Sequence, residues 1–190
     1  MPSTPVTRAI RGPMLTYNVA ALLRSAPGAA RTHHVSLPTL EIADDVRLAA
    51  PIEGDIWLSR TGRSILARGQ VRTALVEPCA RCLVDTAAPV DAEFEEEALP
   101  SIDIDTGLPL DASDEPDALR LDDHHELDLT ETVREAISLA EPLVPLCRPD
   151  CRGLCLECGA DLNADPAHHH DDDAIDPRLA ALAALRDQLA

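Results

Sequence analysis

All six cysteines of the chain fall into close groups, at spacings typical of metal ligands. They are Cys79, Cys82, Cys147, Cys151, Cys155 and Cys158. A glycine directly after the second cysteine of a CxxC pair, as at Gly159, lets the backbone turn so that amide groups point at sulfur. Thiolate and imidazole groups are the usual ligands of structural zinc, and three histidines follow at 168–170. The pattern predicts zinc binding.

Structural zinc takes four ligands, so six cysteines with two histidines would fill two sites. The preferred partition places Cys79, Cys82, Cys147 and Cys151 around one ion. A second ion would take Cys155, Cys158, His168 and His170. One alternative is a single site made of Cys79, Cys82, Cys155 and Cys158. In another, the histidine run is a polar segment with only adventitious metal affinity. The choice among His168, His169 and His170 stays open.

Two features of the sequence favour metal ligands over disulfides. The N-terminus lacks a charged region followed by a long apolar stretch, and no run of 18 apolar residues occurs. We therefore expect a soluble, cytoplasmic protein without a membrane span. In a reducing compartment, closely spaced cysteines bind metal more often than they form disulfides. The alternative is an exported disulfide protein whose signal peptide has been removed.

The net charge of −18 is unevenly distributed along the chain. Residues 1–82 carry ten arginines against six acidic residues, whereas residues 83–190 carry six arginines against twenty-eight. Nucleic-acid affinity depends on cations, so RNA contact would use the arginines on or near the predicted strands and metal loop. These candidates are Arg60, Arg63, Arg68, Arg72, Arg81, Arg148 and Arg152. In the competing interpretation, the same arginines solvate a sheet face and pair with the acidic tail.

The predicted fold class is α+β, with an antiparallel β meander, one or two helices and a C-terminal Cys/His zinc-binding module. Alternating apolar residues from Val46 to Leu99 indicate the meander, with its first CxxC pair at a hairpin turn. Three parts are expected: a β region at 1–98, an acidic linker at 99–127, and a C-terminal part at 128–190.

Two helices are predicted in the C-terminal part. Asp128 would cap the first, with Glu131 completing a capping box and a stop at Pro142. Its buried face would carry Val133, Ala136, Ile137 and Ala140. The second would begin at Asp176-Pro177 and carry an apolar leucine stripe.

Other polar groups are weaker candidates for chemistry. His33 and His34 have no partner ligand nearby in sequence, and His124 and His125 are expected at the surface. The acidic run 111–123 lacks the ordered spacing of a calcium loop. No HExxH string, phosphate-binding glycine loop or GxSxG motif occurs, so we predict neither an enzyme nor a small-molecule substrate.

The sequence resembles the YceD family, the large ribosomal RNA subunit accumulation proteins. The similarity is specific from about residue 65 onward, apart from the acidic linker. It lies in the CARCL pair at 79–83, the PLVPLC segment at 142–147, the CRGLCLECG knuckle at 151–159 with DLN at 161–163, and DPRL at 176–179. In many relatives a Cys-x-Cys pair follows the knuckle, where this chain has three histidines. The resemblance implies a bacterial or plastid protein without enzymatic activity.

The resulting hypothesis is a zinc protein, holding one or two ions, that supports accumulation or processing of large-subunit (23S) ribosomal RNA and ribosome biogenesis. Its partner would be precursor or mature ribosomal RNA, or a ribosome assembly protein. The alternative is a zinc-dependent interaction or thiol redox-sensing protein that makes no RNA contact.

Overall fold

The structure is a computed structural model that describes residues 15–43, 46–111 and 118–170. Its elements in chain order are β1 (Thr16–Asn18), α1 (Ala20–Leu23), β2 (Ala30–Leu37), β3 (Arg47–Thr61), β4 (Ser64–Pro78), β5 (Asp85–Leu99), β6 (Leu119–Arg120), β7 (Glu126–Asp128) and α2 (Thr130–Leu139). The predicted helix from Asp176 lies outside the described residues, as does part of the acidic run.

The main sheet has the order β2-β3-β4-β5-β6. Three long antiparallel strands, each of 15 residues, form its centre. Thr61 pairs with Ser64 across a turn at Gly62, whose φ of +62° suits glycine. The predicted α+β class is confirmed, and the meander follows because the alternation from β3 to β5 gives each strand one apolar side.

One face of this sheet packs against α2 and forms the core. Ile56, Ile65 and Val71 are fully buried there, together with Val133 and Ile137 from the helix. We call the other side the open face; its side chains alternate with the buried ones. In the central cross-strand rows the open face carries Glu53, Asp55, Trp57, Arg68, Gln70, Arg72, Asp91, Glu93, Glu95 and Glu97.

Helix α2 has the predicted buried face but a different start. Val133, Ala136 and Ile137 are buried, as expected from their helical spacing, whereas the predicted fourth member, Ala140, is the C-cap and only partly buried. The N-cap is Leu129, one residue beyond the predicted Asp128, and it makes no side-chain cap. The Asp128 carboxylate instead accepts the Thr130 N–H at 2.9 Å.

Two short strand pairings connect distant parts of the chain to this core. β1 pairs antiparallel with β7, so the N-terminal segment lies beside the entry to α2. β6, inside the predicted acidic linker, pairs in parallel with β5, and the following Leu121 is buried. The division into three domains stays a prediction. Among the described residues, no helix has the length and apolar character needed to cross a bilayer.

Two glycines in the central strands should differ in how much an alanine substitution lowers the free energy of unfolding. A Cβ at Gly54 would lie 2.1 Å from the Gln70 carbonyl oxygen and 2.8 Å from the Val71 Cα, both backbone atoms of the adjacent strand. A Cβ at Gly69 would instead meet the ring of Phe94, a half-buried side chain that can rotate away. Gly54→Ala should therefore lower the free energy of unfolding by about 2–3 kcal/mol, and Gly69→Ala by less. Urea denaturation of both variants tests this, and equal losses would contradict it.

Candidate metal centre

The turn between β4 and β5 carries the first cysteine pair. The Cys79 N–H donates to the Val84 carbonyl at 2.9 Å, and the Leu83 N–H donates to the Cys79 carbonyl at 2.9 Å. Ala80 adds a third bond, donating its N–H to the Pro145 carbonyl at 2.8 Å. The turn is therefore closed on itself and also hydrogen-bonded to the segment that leads to Cys147.

Four sulfur atoms meet beside this turn. Cys79, Cys82, Cys147 and Cys151 have ligand atoms that all lie within 4.8 Å of one another. Cys79 Sγ is 3.9 Å from Cys151 Sγ, and Cys82 Sγ is 3.6 Å from Cys147 Sγ. These separations are far longer than a disulfide bond of about 2.05 Å. They match the sulfur–sulfur distance of about 3.8 Å expected for tetrahedral zinc with Zn–S bonds of about 2.3 Å.

The surroundings of these thiols shift their pKa values in opposite directions. Backbone N–H groups of Cys147, Cys82 and Arg81 donate toward Cys79 and lower its pKa to about 6. Desolvation is the main cause that raises the pKa of Cys147 to about 12, and hydrogen bonding with Cys82 adds to it. One thiolate is thus stabilised by the fold alone, whereas the charge on four crowded sulfurs needs a cation to offset it.

A second group of four ligands lies on the knuckle that follows. Cys155 Sγ is 3.2 Å from His170 Nε2, and Cys158 Sγ is 3.2 Å from His168 Nε2. The two Nε2 atoms are 3.0 Å apart. Tetrahedral zinc would place sulfur and nitrogen about 3.6 Å apart and the two nitrogens about 3.3 Å apart, so the group fits within about 0.4 Å. His169 is turned aside, with Nδ1 3.1 Å from the Ala167 carbonyl.

Neighbouring groups support this second set. The N–H groups of Cys158 and Glu157 donate toward Cys155 and lower its pKa to about 6. The Glu157 carboxylate lies 3.4 Å from Nδ1 of His170, the ring nitrogen opposite the one that faces sulfur. A carboxylate behind a ligating histidine orients the imidazole ring and increases its basicity. Sequence spacing alone gave no sign of this role for Glu157.

The two CxxC turns have the same backbone form but different residues at one position. Gly159 donates its N–H to the Cys155 carbonyl at 2.9 Å and has φ of +74°. Leu83 makes the equivalent bond to Cys79 and has φ of +62°, in the left-handed region that side chains disfavour. Leu83 is exposed, so apolar burial does not offset this strain. The cysteine turn itself imposes the conformation.

Hydrogen bonds between the hairpin turn and the knuckle link the two ligand groups. The Leu154 N–H donates to the Arg81 carbonyl at 3.1 Å, and Arg81 Nη1 donates to the Cys151 carbonyl at 2.6 Å. Asn163 continues the link: its Nδ2 lies 3.6 Å from Cys151 Sγ, and its Oδ1 accepts the Arg152 N–H at 2.8 Å. A change at the contact between turn and knuckle should therefore disturb both ligand groups, whereas a change at the far end of the knuckle should disturb only the second.

The structure assembles all eight predicted ligands, in the two sets of the preferred partition. The sulfur and imidazole donors suit zinc, while metal binding itself stays a prediction. The single-site alternative would need Cys79 and Cys82 to join Cys155 and Cys158, whereas the structure divides these residues between the two groups.

The predicted RNA-binding arginines of the sheet are largely engaged with the protein itself. Arg68 pairs with Glu95 on the adjacent strand. Arg72 Nε lies 3.1 Å from Asp91 Oδ2. Arg60 donates to the backbone carbonyls of Ser25 and Gly62. Two of these arginines thus have acidic partners, as the competing interpretation expected, but the partners lie on the adjacent strand β5 and not in an acidic tail.

The remaining candidate arginines lie at the β3–β4 turn and around the metal groups. Arg63 is exposed at the turn. Arg152 Nη1 donates to the Pro166 carbonyl at 2.9 Å, and Arg148 lies 3.5 Å from the carboxylate two residues further on. Arg81 and Arg152 also line a cleft of about 630 Å³ between the hairpin turn and the knuckle, together with the three histidines. RNA contact by any of these arginines stays a prediction.

The other histidine pairs lie apart from both ligand groups. His34 lies near two carboxylates of β3, and the ring of His33 is 4.8 Å from that of Tyr17. His124 is exposed, and His125 is partly buried with φ of +59°. His124 and Glu126 form an HxE string, but neither belongs to a metal-ligand group among the described residues.

Residues 67–186 match a protein-family model described as "large ribosomal RNA subunit accumulation protein YceD". This range contains all eight residues of the two candidate ligand groups. An uncharacterized protein of Mycobacterium tuberculosis is 33% identical over 137 residues, covering 72% of this chain and 62% of the relative. An uncharacterized protein of Mycobacterium leprae is 30% identical over 165 residues, covering 86% of this chain and 69% of the relative.

A further relative is the "large ribosomal RNA subunit accumulation protein YCED homolog 1, chloroplastic" of Zea mays. It is 47% identical over 38 residues, or 20% of this chain and 13% of that protein. The chain spans 62% of the Mycobacterium tuberculosis relative, which is less than two thirds of its length. No solved structure matches.

The contact between hairpin turn and knuckle predicts the effect of two further glycine substitutions. A Cβ at Gly153 (φ +79°) would lie 2.9 Å from the Arg81 carbonyl oxygen, whereas a Cβ at Gly159 (φ +74°) would meet no atom within 4 Å. Both substitutions strain the backbone, but only Gly153→Ala should separate the turn from the knuckle. We expect metal release to a chromogenic chelator to quicken for both ligand groups in Gly153→Ala and for one in Gly159→Ala. Identical release profiles would contradict the coupling.

Proposed function

Since the chain belongs to the YceD family, we propose that it is a non-enzymatic zinc-binding protein that supports accumulation or processing of large-subunit (23S) ribosomal RNA in the cytoplasm. The observation that carries this proposal is the overlap between the family match and the ligand groups. The matched range 67–186 begins before the first CxxC pair and ends beyond the last histidine. The family relation and the metal module therefore concern the same part of the chain.

Zinc is the metal we propose, because the donors are six sulfurs and two imidazole nitrogens in two near-tetrahedral sets. Cys79, Cys82 and Cys151 are buried, so the first ion would replace apolar packing where the segment contributes little hydrophobic core. When bound, zinc would supply charge neutralisation and a cross-link between the hairpin turn and the C-terminal segment.

The proposal of a non-enzymatic role rests on ligand saturation. A hydrolytic zinc keeps one coordination position for water and has a general base nearby. With four protein donors in each set, neither ion would have a position for substrate. The metal would thus have a structural role, and the protein's role in ribosomal RNA accumulation would be one of binding.

The proposed partner is large-subunit ribosomal RNA or a ribosome assembly protein. For RNA, the arginines near the metal groups are better placed than those of the sheet. Arg81 and Arg152 line the cleft beside the knuckle, whereas Arg68 and Arg72 have carboxylate partners. Guanidinium groups bind phosphate bidentately and stack on unpaired bases, so a few of them can serve in an acidic protein.

A second candidate function is zinc-dependent thiol sensing, and the exposure of the second ligand group favours it. Cys158 and His170 are exposed and Cys155 is only partly buried, so an oxidant can reach these thiolates. The two candidates differ in their response to peroxide. A sensor would lose zinc at physiological doses, whereas a structural module would keep it.

The metal assignment predicts two zinc ions per chain. His168→Ala should reduce the content to about one ion, because its Nε2 faces Cys158, and His169→Ala should retain two, because its ring faces a backbone carbonyl. Inductively coupled plasma mass spectrometry on protein purified without chelator measures both. A wild-type content of one ion or none, or equal contents in the two variants, would contradict the assignment.

The functional assignment predicts rescue of large-subunit ribosomal RNA. In bacterial cells lacking their own family member, the wild-type chain should restore the ratio of large- to small-subunit RNA. A Cys82→Ser/Cys151→Ser double variant should fail to do so, because it loses two ligands of the first group. His169→Ala serves as the matched control and should rescue fully. Rescue by the double variant at equal protein level would separate the metal module from the function, and failure of the wild type would remove support for the role itself.

A further inference from the structure

The open face is a broad polar surface whose charge is strongly unbalanced. Its central rows contain six carboxylates and only two guanidinium groups. Arg68 and Arg72 occupy one carboxylate each, Glu95 and Asp91. Of the other four, Glu53 and Asp55 have only an imidazole as basic partner, since His34 lies 3.6 Å from Glu53 and 3.2 Å from Asp55. Among the described residues, no ion pair engages Glu93 or Glu97.

Neutral groups hold several of these carboxylates in place. Gln70 Nε2 donates to Asp91 Oδ1 at 3.3 Å and to Glu93 Oε1 at 3.2 Å. Ser36 Oγ donates to Glu53 Oε1 at 2.8 Å. An amide or hydroxyl orients a carboxylate without neutralising it, so the face presents negative charge on a rigid sheet.

The chain's single tryptophan lies in the middle of this face. Trp57 is 42% exposed, although large aromatic side chains are usually well covered. It forms one side of a shallow groove of about 450 Å³, whose other side chains include Arg68, Gln70, Glu93 and Glu95. An exposed indole beside carboxylates favours a cation, because the ring face attracts positive charge and the oxygens accept its N–H groups.

We propose that this groove and the surrounding open face bind an arginine-rich segment of a partner protein. A guanidinium group would stack on Trp57 and donate to Glu93, since Arg68 already pairs with Glu95, and neighbouring cations would meet the other carboxylates. RNA is the less suitable occupant, since its phosphates would approach uncompensated negative charge. A protein cation relieves that repulsion, and the sheet offers it several acceptors at cross-strand spacing.

A protein partner on the open face would add to the proposed function a contact that lies on the sheet and uses none of the metal-ligand residues. It requires neither zinc nor a role in ribosomal RNA accumulation. Peptide binding can be measured on the purified chain, whereas the functional proposal is tested in cells. The two can therefore fail independently.

Trp57 provides a direct reporter, because no other tryptophan contributes to the emission. The full-length protein is titrated with a synthetic peptide of eight arginines alternating with glycines, and tryptophan fluorescence is followed at two salt concentrations. We expect a saturable change in emission that weakens with salt. The same titration with an octamer of single-stranded uridylate should leave the emission unchanged.

Two double variants that each remove two negative charges separate the open face from bulk charge. Glu93→Gln/Glu97→Gln alters two open-face carboxylates that no arginine occupies, while Glu96→Gln/Glu135→Gln alters exposed residues outside the open face. We expect the peptide's apparent Kd to rise about fivefold or more in the first and less than twofold in the second. All four positions are exposed, and circular dichroism checks that both variants fold. No emission change, equal weakening in both variants, or saturation by the uridylate in place of the peptide would each overturn the proposal.

Discussion

The meeting of Cys79 and Cys82 with Cys147 and Cys151 is the constraint on which the described chain after α2 depends. After α2, the segment through residue 146 has exposed apolar residues, such as Leu143, instead of a buried face. It therefore lacks the apolar burial that could hold it against the sheet on its own. Four crowded sulfurs and the bond from Ala80 to Pro145 fix its course, and the knuckle then lies against the hairpin turn.

The elements that could be predicted from the sequence are those in which apolar residues recur at a regular spacing. Alternation between β3 and β5 predicted the meander, and helical spacing predicted the buried side of α2, because both patterns directly reflect which side chains meet water. Spacing showed that a CxxC pair at a hairpin turn needs two further donors from elsewhere in the chain, but it left more than one partition open. The structure groups the residues as in the preferred partition, while ligation itself stays a prediction. The two further donors, Cys147 and Cys151, lie in one short loop that follows the segment with Pro142 and Pro145.

What the sequence could not supply is the identity of neighbours across strands. Composition marked Arg68 and Arg72 as possible RNA contacts because the first 82 residues have excess arginine. The strand register instead places each beside an acidic residue of β5, 27 positions away for Arg68 and 19 for Arg72. The start of α2 shows the same limit: Asp128 resembles an N-cap in sequence, but its pairing within β7 moves the helix start beyond it. Register depends on tertiary packing, which local patterns do not encode.

These neighbours divide the molecule into two regions of different chemistry. Around the metal groups, Arg81 and Arg152 use guanidinium N–H groups to hold carbonyls of the knuckle, so positive charge there is tied to the integrity of the metal site. On the open face, Gln70 holds carboxylates beside Trp57 without cancelling their charge. A single chain thus presents an arginine-lined cleft and an anionic sheet face, and a net charge of −18 describes neither. Of the two proposed partners, RNA would approach the arginines beside the knuckle, and a cationic protein would approach the open face. The local charges, and not their sum, decide which partner suits which side.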